Sequence, residues 1–182
     1  MIKNLFVTGF LLSLSLMFLS CGKAYKTYND AKYGFSLKYP ASWEYEDPKK
    51  SGISVSFREP QGKDENRYVS NIVVMAGEAP DDFTARALRD FSVKSMRGYI
   101  GNFNLVDEKF IAKDMSANKM DSDLIVYEGV IAGNKIRNTQ VFFATGGFAY
   151  SVIVSVPLEE YKKYSDLSEK VIRSFAFPKK TK

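Results

Sequence analysis

The sequence predicts an α+β protein in which a mainly antiparallel sheet carries two helices. Several short segments alternate apolar and polar side chains with a period of two, which is the pattern of half-buried strands. Two-residue turns containing glycine join three of these segments near the C-terminus, as in antiparallel hairpins. Two longer segments repeat apolar residues at helical spacing instead. Short strands together with two helices that do not alternate regularly with them define the α+β class.

The first segment, residues 1–20, is predicted to be a secretory signal peptide. Lys3 precedes an uncharged apolar run from Leu5 to Leu19. This run of about fifteen residues is shorter than the roughly twenty that a membrane-spanning helix needs. A positive start followed by a short apolar stretch is typical of signal peptides. A buried N-terminal helix is the alternative, but the run is apolar on every side and has no amphipathic stripe.

Cys21 is the only cysteine and lies just beyond that apolar run. The segment from Phe18 to Cys21 resembles the lipobox of bacterial lipoproteins. The resemblance implies cleavage before Cys21, a thioether-linked diacylglycerol on its sulfur and, in many bacteria, an amide-linked acyl chain such as palmitate. Two or three acyl chains anchor a protein stably. The other possibility is cleavage after Ala24, since Gly22 and Ala24 are small, and this would release an unanchored chain.

The composition limits the chemistry of the mature chain. About 160 residues remain without the leader, the size of one domain. The chain has no histidine, which excludes Ser-His-Asp and Cys-His mechanisms and removes the commonest transition-metal ligand. One cysteine forms neither an intramolecular disulfide nor a Cys-based zinc site. The net charge falls only from +5 to +4 without Lys3, and no dense basic run indicates a nucleic-acid partner.

The N-terminal half of the mature chain is predicted to supply a tether and four strands. Residues 21–32 are polar and lack apolar periodicity, so we expect a flexible membrane tether before a domain that spans residues 33–177. A charged loop is expected over residues 61–67, and residues 178–182 form a solvated basic tail. The predicted strands are short and alternating, and they cover 35–39, 43–45, 53–57 and 69–75.

The first helix is predicted to begin near Pro80. Proline suits the first turn of a helix, and Asp81 and Asp82 suit the positive end of its dipole. A glycine at position 98 or 101 is expected to end it. One arc of this helix is apolar and is expected to pack on the sheet as core; its members are Phe83, Ala87, Leu88, Phe91 and Tyr99.

The C-terminal half is predicted to form an edge strand, a hairpin meander and a closing helix. The edge strand covers residues 104–113, and the meander strands cover 123–132, 135–145 and 148–156. The turns Gly133-Asn134 and Gly146-Gly147 join the meander strands. The closing helix opens at Pro157, Glu159 and Glu160, and its apolar residues recur at helical spacing from Tyr161 to Phe175.

The order of these segments resembles that of PsbP-like domains. The motif YGFSLKYP at residues 33–40 is followed by Trp43, by strands of the GISVSF and NIVV type and by a closing Arg173-Ser174-Phe175. The likeness spans about residues 33–177. It implies an α-β-α sandwich around a central, mainly antiparallel sheet. That family includes extrinsic subunits of photosystem II and many bacterial lipoproteins, which are mostly accessory or assembly factors rather than catalysts. The metal-bound histidines of some photosynthetic members have no counterpart here, so no metal is predicted.

The acidic segment Asp121-Ser122-Asp123, with Asp114 and Glu128 nearby, is a candidate cation site. Carboxylate oxygens suit hard cations, but the spacing is not that of a calcium loop. A solvated turn at the start of a strand is the favoured interpretation.

A second cluster consists of Trp43, Tyr39 and Tyr45. It forms either an aromatic binding surface or, as we favour, packing under the N-terminal strand. The sequence therefore predicts no catalytic, cofactor-binding or metal-binding residue. Cys21, as the point of lipid attachment, is its one predicted site.

These features predict a lipid-anchored, non-enzymatic accessory domain that binds another protein of the bacterial cell envelope. The alternative is a protein that binds a small molecule or a lipid in a cleft between sheet and helix. A hydrolase built from carboxylates alone, such as Asp121 and Asp123, is the least favoured hypothesis. Gly22 stands where many inner-membrane lipoproteins have an aspartate, so the outer membrane is predicted in an organism with two membranes.

Overall fold

The computed structural model describes residues 24–46, 52–63, 67–111 and 120–177. The predicted signal peptide, Cys21, Asp114 and the basic tail lie outside these residues, so lipid attachment stays a prediction. Within the described part, no helix is both long and apolar enough to cross a bilayer.

The described residues form strands in two groups, with one helix between the groups and a second helix at the end. The chain order is β1 (Tyr25–Asn29), β2 (Ser36–Pro40), β3 (Glu44–Glu46), β4 (Val55–Arg58), β5 (Asn71–Glu78), α1 (Ala85–Tyr99), β6 (Gly101–Ile111), β7 (Ser122–Ile131), β8 (Asn134–Thr145), β9 (Phe148–Pro157), a 3-10 turn (Leu158–Glu160) and α2 (Tyr161–Ser174).

Strands β3 to β9 build one antiparallel sheet in the order β3-β4-β5-β9-β8-β7-β6. The meander β7-β8-β9 is its long central unit, and β6 is an edge strand, as expected from the sequence. Strands β1 and β2 pair in a separate antiparallel hairpin. The predicted α+β class is confirmed, because the sheet is antiparallel and the two helices are not arranged in βαβ units.

One predicted turn is wrong by one residue. Ile131 pairs with Asn134, so the two-residue loop is Ala132-Gly133 rather than Gly133-Asn134. Both loop residues have positive φ, 48° and 82°, which is the type I′ geometry that matches the twist of the flanking strands. Asn134 is the first residue of β8, and its side-chain amide stabilises the turn by donating a hydrogen bond to the carbonyl of Ala132. The second turn is Gly146-Gly147 as predicted, with φ of 60° and 79°.

The two faces of the sheet are covered by different elements. Helix α2 and the β1-β2 hairpin pack on one face over the larger hydrophobic core, which includes Phe35, Phe57, Val152 and Phe175. Helix α1 packs on the other face over a smaller core around Met96, Ile125 and Phe142. Because α1 lies mainly over β6, β7 and β8, most of the α1 side of β5 and β9 is left without a covering helix.

The predicted tether is wrong for the residues that form β1. Tyr25–Asn29 pairs along its whole length with β2, and Tyr28 packs against Phe57 with ring centroids 5.6 Å apart. Tyr25 and Tyr28 are the partly buried members of this polar strand. Because they are three positions apart, they do not show the period of two by which a strand is predicted. The ordered domain therefore begins at least eight residues earlier than predicted.

Helix α1 also begins later than predicted. Thr84 caps it, and its hydroxyl accepts a hydrogen bond from the backbone N–H of Ala87 at 3.1 Å. Pro80, Asp81 and Asp82 lie in the preceding loop. A threonine side chain satisfies an N-terminal amide of the helix directly, whereas acidic residues interact with the dipole only when they lie close to the first turn. The cap therefore sets the boundary.

Candidate binding surface and cleft beside helix α1

The predicted cation cluster is divided among ion pairs. Asp123 lies on the α1 side of β7 and is almost fully buried, and its carboxylate accepts a hydrogen bond from Arg89 of α1 at 3.1 Å. Glu128 pairs with Arg137 at 3.1 Å on the opposite side of the sheet. Among the described residues, no group of acidic side chains could hold a metal ion. The favoured interpretation, a solvated turn at the start of a strand, is confirmed for the strand start, since β7 begins at Ser122. It is wrong for the solvation of Asp123, because that side chain is buried.

The Arg89–Asp123 pair fastens α1 to the sheet. Arg89 also forms ion pairs with Asp90 and Glu108, so one guanidinium pairs with three carboxylates. Burial raises the pKa of the Asp123 carboxyl, and the Arg89 and Arg86 charges oppose that rise. A buried pair of this kind costs desolvation energy and is strongly unfavourable to break. Its position explains how a helix with few buried apolar residues stays attached.

The aromatic cluster near Trp43 is mainly core, as favoured from the sequence. Trp43 is buried, and Tyr39 stacks on Phe57 with centroids 4.0 Å apart. Tyr45 is half exposed and stacks against Tyr28 of β1. The prediction of packing beneath the N-terminal strand is therefore confirmed for Trp43 and Tyr39.

The predicted core stripe of α1 is wrong for Ala87, Phe91 and Tyr99, which are exposed, whereas Leu88 packs on the sheet as predicted. Phe91 and Tyr99 are 69% and 71% exposed. The helix instead buries Ala85 and Met96 against the sheet, with Leu88 and Val93 partly buried beside them. At 100° per residue, the centre of this contact face is turned by about 130° from the centre of the predicted apolar arc. The bulkiest side chains of α1 are thus presented to solvent, and small or flexible ones form the contact.

The outer side of α1 combines these aromatic side chains with positive charge. Four basic residues and one acidic residue lie in the helix. The Arg86 guanidinium lies 5.9 Å from the ring centroid of Phe110, which is itself half exposed on β6. Arg97 lies 5.1 Å from the ring of Phe103. We call the exposed set the α1 surface; it consists of Arg86, Phe91, Lys94, Arg97, Tyr99 and Phe110.

A cleft of about 570 Å³ opens between α1 and the uncovered strands β5 and β9. Its walls are mostly apolar and include Met75, Phe83, Leu88, Phe91 and Ala149. We call it the α1 cleft. Gln140 and Ser151 lie among its lining residues, and both are almost fully buried. The volume is within the range of pockets that hold small molecules, which are typically apolar with a few polar groups.

A second cleft, of about 580 Å³, lies between α2 and the strands β6 to β8; we call it the α2 cleft. Its floor is apolar, with Leu124, Val141 and Phe143 among the lining residues, but its rim is charged. The rim charges pair with one another, as in Lys109–Asp107 at 2.8 Å and Arg173–Glu169 at 2.7 Å. Because these rim charges pair with one another, the α2 cleft presents less uncompensated charge than the α1 surface does.

Sequence reasoning missed the polar floor of the α1 cleft. Ser151 alternates with the apolar residues of β9, so the sequence places it on the face opposite Tyr150 and Val152. In the structure Ser151 is buried and lines the cleft. The weak signal was Gln140, a polar residue directly before the apolar run Val141-Phe142-Phe143-Ala144. Such a residue is found inside a protein mainly when it is hydrogen-bonded or functional.

The sheet order and the two flanking helices define a PsbP-like α-β-α sandwich. No family model matches the sequence, and no curated protein is significantly similar to it. Solved structures carry the fold instead. The solution structure of cyanobacterial PsbP (CyanoP) from Synechocystis superposes with a TM-score of 0.65 at 20% identity, over 87% of this chain and 98% of that one.

Two further solved structures share the architecture at lower identity. LpqN, involved in cell envelope biogenesis of Mycobacterium tuberculosis, has a TM-score of 0.62 at 14% identity, over 85% of this chain and 91% of its own. The Ran-binding protein Mog1p of Saccharomyces cerevisiae has a TM-score of 0.57 at 10% identity, over 85% and 95%. These likenesses establish the fold, and the function has to be argued from the surfaces of this chain.

Proposed function

We propose that this chain is a lipid-anchored, extracytoplasmic accessory domain that binds another protein of the cell envelope and catalyses no reaction. The observation that carries this proposal is the α1 surface, where two large aromatic residues and three exposed basic residues share one helix. Aromatic residues and arginine are the types enriched at protein interfaces and at their hot spots. The complementary partner surface is acidic and partly apolar.

The position of the anchor favours a protein over the membrane as the occupant of this surface. Strand β1 begins at Tyr25, so only residues 22–24 separate Cys21 from the domain. Four residues from Cys21 to Tyr25 reach about 14 Å at most. Tyr25 lies beside Lys170 of α2, whose ammonium is 4.3 Å from the tyrosine ring. A lipid on Cys21 therefore holds the α2 side towards the bilayer, and the α1 surface lies on the opposite face of the sheet.

The solved structures give this proposal support by analogy. LpqN is described as involved in cell envelope biogenesis and Mog1p as Ran-binding. Mog1p is an example of this architecture in a protein-binding role, and LpqN is an example of it in a protein of the cell envelope.

Site-specific cross-linking in the native envelope tests the protein partner. A photoreactive benzoylphenylalanine replaces Tyr99 in the α1 surface, and the matched control places it at Lys162, an exposed position on α2. We expect one defined protein adduct from position 99, reduced by the charge reversals Lys94→Glu and Arg97→Glu, and none from position 162. Adducts with lipid alone, or equal protein adducts from both positions, would overturn the proposal.

Metabolic labelling with an alkyne fatty acid tests the anchor separately. The wild-type chain is expected to incorporate the label and a Cys21→Ala variant is not. Fractionation then locates the labelled chain, with the outer membrane expected in a two-membrane organism. An unlabelled wild type would refute the lipid anchor, and recovery with inner-membrane markers would refute the predicted membrane.

A further inference from the structure

The floor of the α1 cleft holds a buried hydrogen-bonding group that the protein leaves incomplete. Gln140 projects from β8 on the α1 side and is 3% exposed. Its side-chain N–H donates to the Ser151 hydroxyl at 2.7 Å. Its carbonyl oxygen, Oε1, is buried and has no hydrogen-bond partner among the described residues. Leaving a buried acceptor without a donor is energetically costly, so this arrangement requires a physical reason.

The surroundings of Gln140 indicate what kind of donor would complete it. The Ser151 hydroxyl accepts the Gln140 bond and still carries its own O–H to donate. An incoming hydroxyl group could donate to Gln140 Oε1 and accept from Ser151 at the same time. A hydroxyl is the smallest group that both donates and accepts, and it suits either orientation of the glutamine amide.

The rest of the cleft selects against charge on the ligand. Glu78 is the one charged residue among the described residues that line it. No lysine or arginine stands there to neutralise a carboxylate or a phosphate, and an uncompensated charge is costly to desolvate. The walls of Met75, Phe83, Leu88 and Phe91 suit an apolar body instead.

We propose that the α1 cleft is a binding site for a neutral, mainly apolar small molecule that carries a hydroxyl group, an alcohol or a phenol, whose O–H is bound by Gln140 and Ser151. The apolar body lies against the α1 side of β5 and β9 under Phe91. This site goes beyond the proposed docking of a protein partner, because its recognition group lies on the sheet and not on the α1 surface.

The test uses the mature chain from residue 21 with Cys21→Ser, which removes the acyl chains that would compete for an apolar cleft. All of the described elements are retained. The probes are 2-naphthol, naphthalene and 2-naphthoate, which share one ring system and differ in the polar group. Affinity is measured by titration, and the side-chain amide signal of Gln140 is followed by NMR.

We expect 2-naphthol to bind about five to ten times more tightly than naphthalene, the ratio for one hydrogen bond of about 1 kcal/mol. The carboxylate probe is expected to bind more weakly than both. The Gln140 amide signal should shift with 2-naphthol, and Gln140→Met should abolish the preference for naphthol over naphthalene. Equal affinities, an unmoved amide signal or a preference that survives Gln140→Met would each overturn the proposal, with water then completing the acceptor.

Two further variants keep the outcome interpretable. Ala149→Leu fills the cleft from β9 without touching Gln140, and it is expected to weaken 2-naphthol at least tenfold even if Gln140→Met does not fold. Tyr99→Ala lies outside the cleft lining and is expected to bind 2-naphthol unchanged. If position 99 gives no protein adduct but 2-naphthol binds as expected, the docking surface alone is refuted. If position 99 gives the protein adduct but 2-naphthol does not bind as expected, the cleft alone is refuted.

Discussion

The two helices of this domain carry similar amounts of apolar side chain and use it in opposite ways. Helix α2 buries Tyr164, Leu167, Val171 and Ile172 in the larger core. Helix α1 turns its largest residues outward and meets the sheet through smaller ones and one buried ion pair. An amphipathic pattern therefore shows that a helix has an apolar side. It does not show whether the sheet or a partner covers that side.

The largest expected effect contrasts one phenylalanine from each side. Phe175, directly after α2, is fully buried, and its ring lies 5.2 and 5.3 Å from those of Phe143 and Phe35. Phe175→Ala should lower the free energy of unfolding by about 3 to 5 kcal/mol, because it leaves a cavity in the core. Phe91→Ala should change it by less than about 0.5 kcal/mol. Urea unfolding of both variants measures the contrast.

A costly Phe91→Ala would show that the aromatic side of α1 is core, which would remove the basis for the α1 surface. A mild Phe175→Ala would show that the α2 side is not the better packed one. Either result would end the contrast between the helices.

The second effect concerns the ion pair that attaches α1. Arg89→Met leaves the Asp123 carboxylate buried without its main cation, and it should cost about 3 kcal/mol at pH 7. Burial already raises the pKa of Asp123, and loss of Arg89 raises it further. Stability held by the protonated carboxyl is present at acid pH and is lost as pH rises through the folded pKa. The deficit of Arg89→Met should therefore be smaller at pH 4 than at pH 7.

The matched double variant Arg89→Met with Asp123→Asn separates charge from packing. It removes the buried charge, so most of the loss at pH 7 should be recovered and the pH dependence should disappear. The measurement is again urea unfolding at both pH values. A double variant as unstable as the single one would mean that the stem of Arg89 contributes through packing alone.

The sequence was sufficient for the meander and for α2 because their patterns have one physical solution. The alternation from Phe148 to Val156 cannot slip by one residue without exposing the core side of β9. The stripe of α2 lies on the same side as the largest group of buried aromatic residues. In both places local pattern and tertiary packing agree.

The sequence was insufficient for α1, because it does not show which side of that helix packs on the sheet. Counting bulky residues assigned Phe91 and Tyr99 to the core, although the space under α1 admits only smaller side chains. One signal was present in the strand beneath the helix. Gly129 interrupts the apolar run of β7, and an isolated glycine in a strand often marks a close approach of another backbone.

The third effect tests that close approach. A methyl group at Gly129 would collide with the side chain of Ile100 and lie 3.1 Å from the carbonyl oxygen of Gly101. Gly129→Ala should therefore cost about 1 to 3 kcal/mol through overpacking. The control is Gly77→Ala on the uncovered part of the same face, where no heavy atom lies within 4 Å of the added carbon, and it should stay within about 0.5 kcal/mol.

Thermal unfolding of the two glycine variants compares the covered and uncovered parts of one sheet face. Similar losses at both positions would mean that Gly129 is required for the strand conformation and not for the approach of α1.

The smallest effect returns to α2, at its N-terminus. Burial alone would raise the pKa of Glu160, but hydrogen bonds from Lys163, at 3.1 Å, and from Arg67 outweigh it and lower that pKa. A carboxyl with a lowered folded pKa contributes stability above its unfolded pKa and loses it as pH falls through the folded one.

Glu160→Gln should thus cost at most about 1 kcal/mol at pH 7, since the pair is partly exposed. The cost should shrink as the pH falls through the folded pKa, because the wild-type carboxyl then becomes neutral like the glutamine of the variant. In both ion-pair variants the cost therefore falls in acid, but for different reasons. In Arg89→Met acid neutralises the unpaired buried carboxylate of the variant, whereas in Glu160→Gln acid removes a favourable charge from the wild type. Urea midpoints of Glu160→Gln that differ from wild type equally at pH 3 and pH 7 would show that the carboxylate charge contributes nothing there.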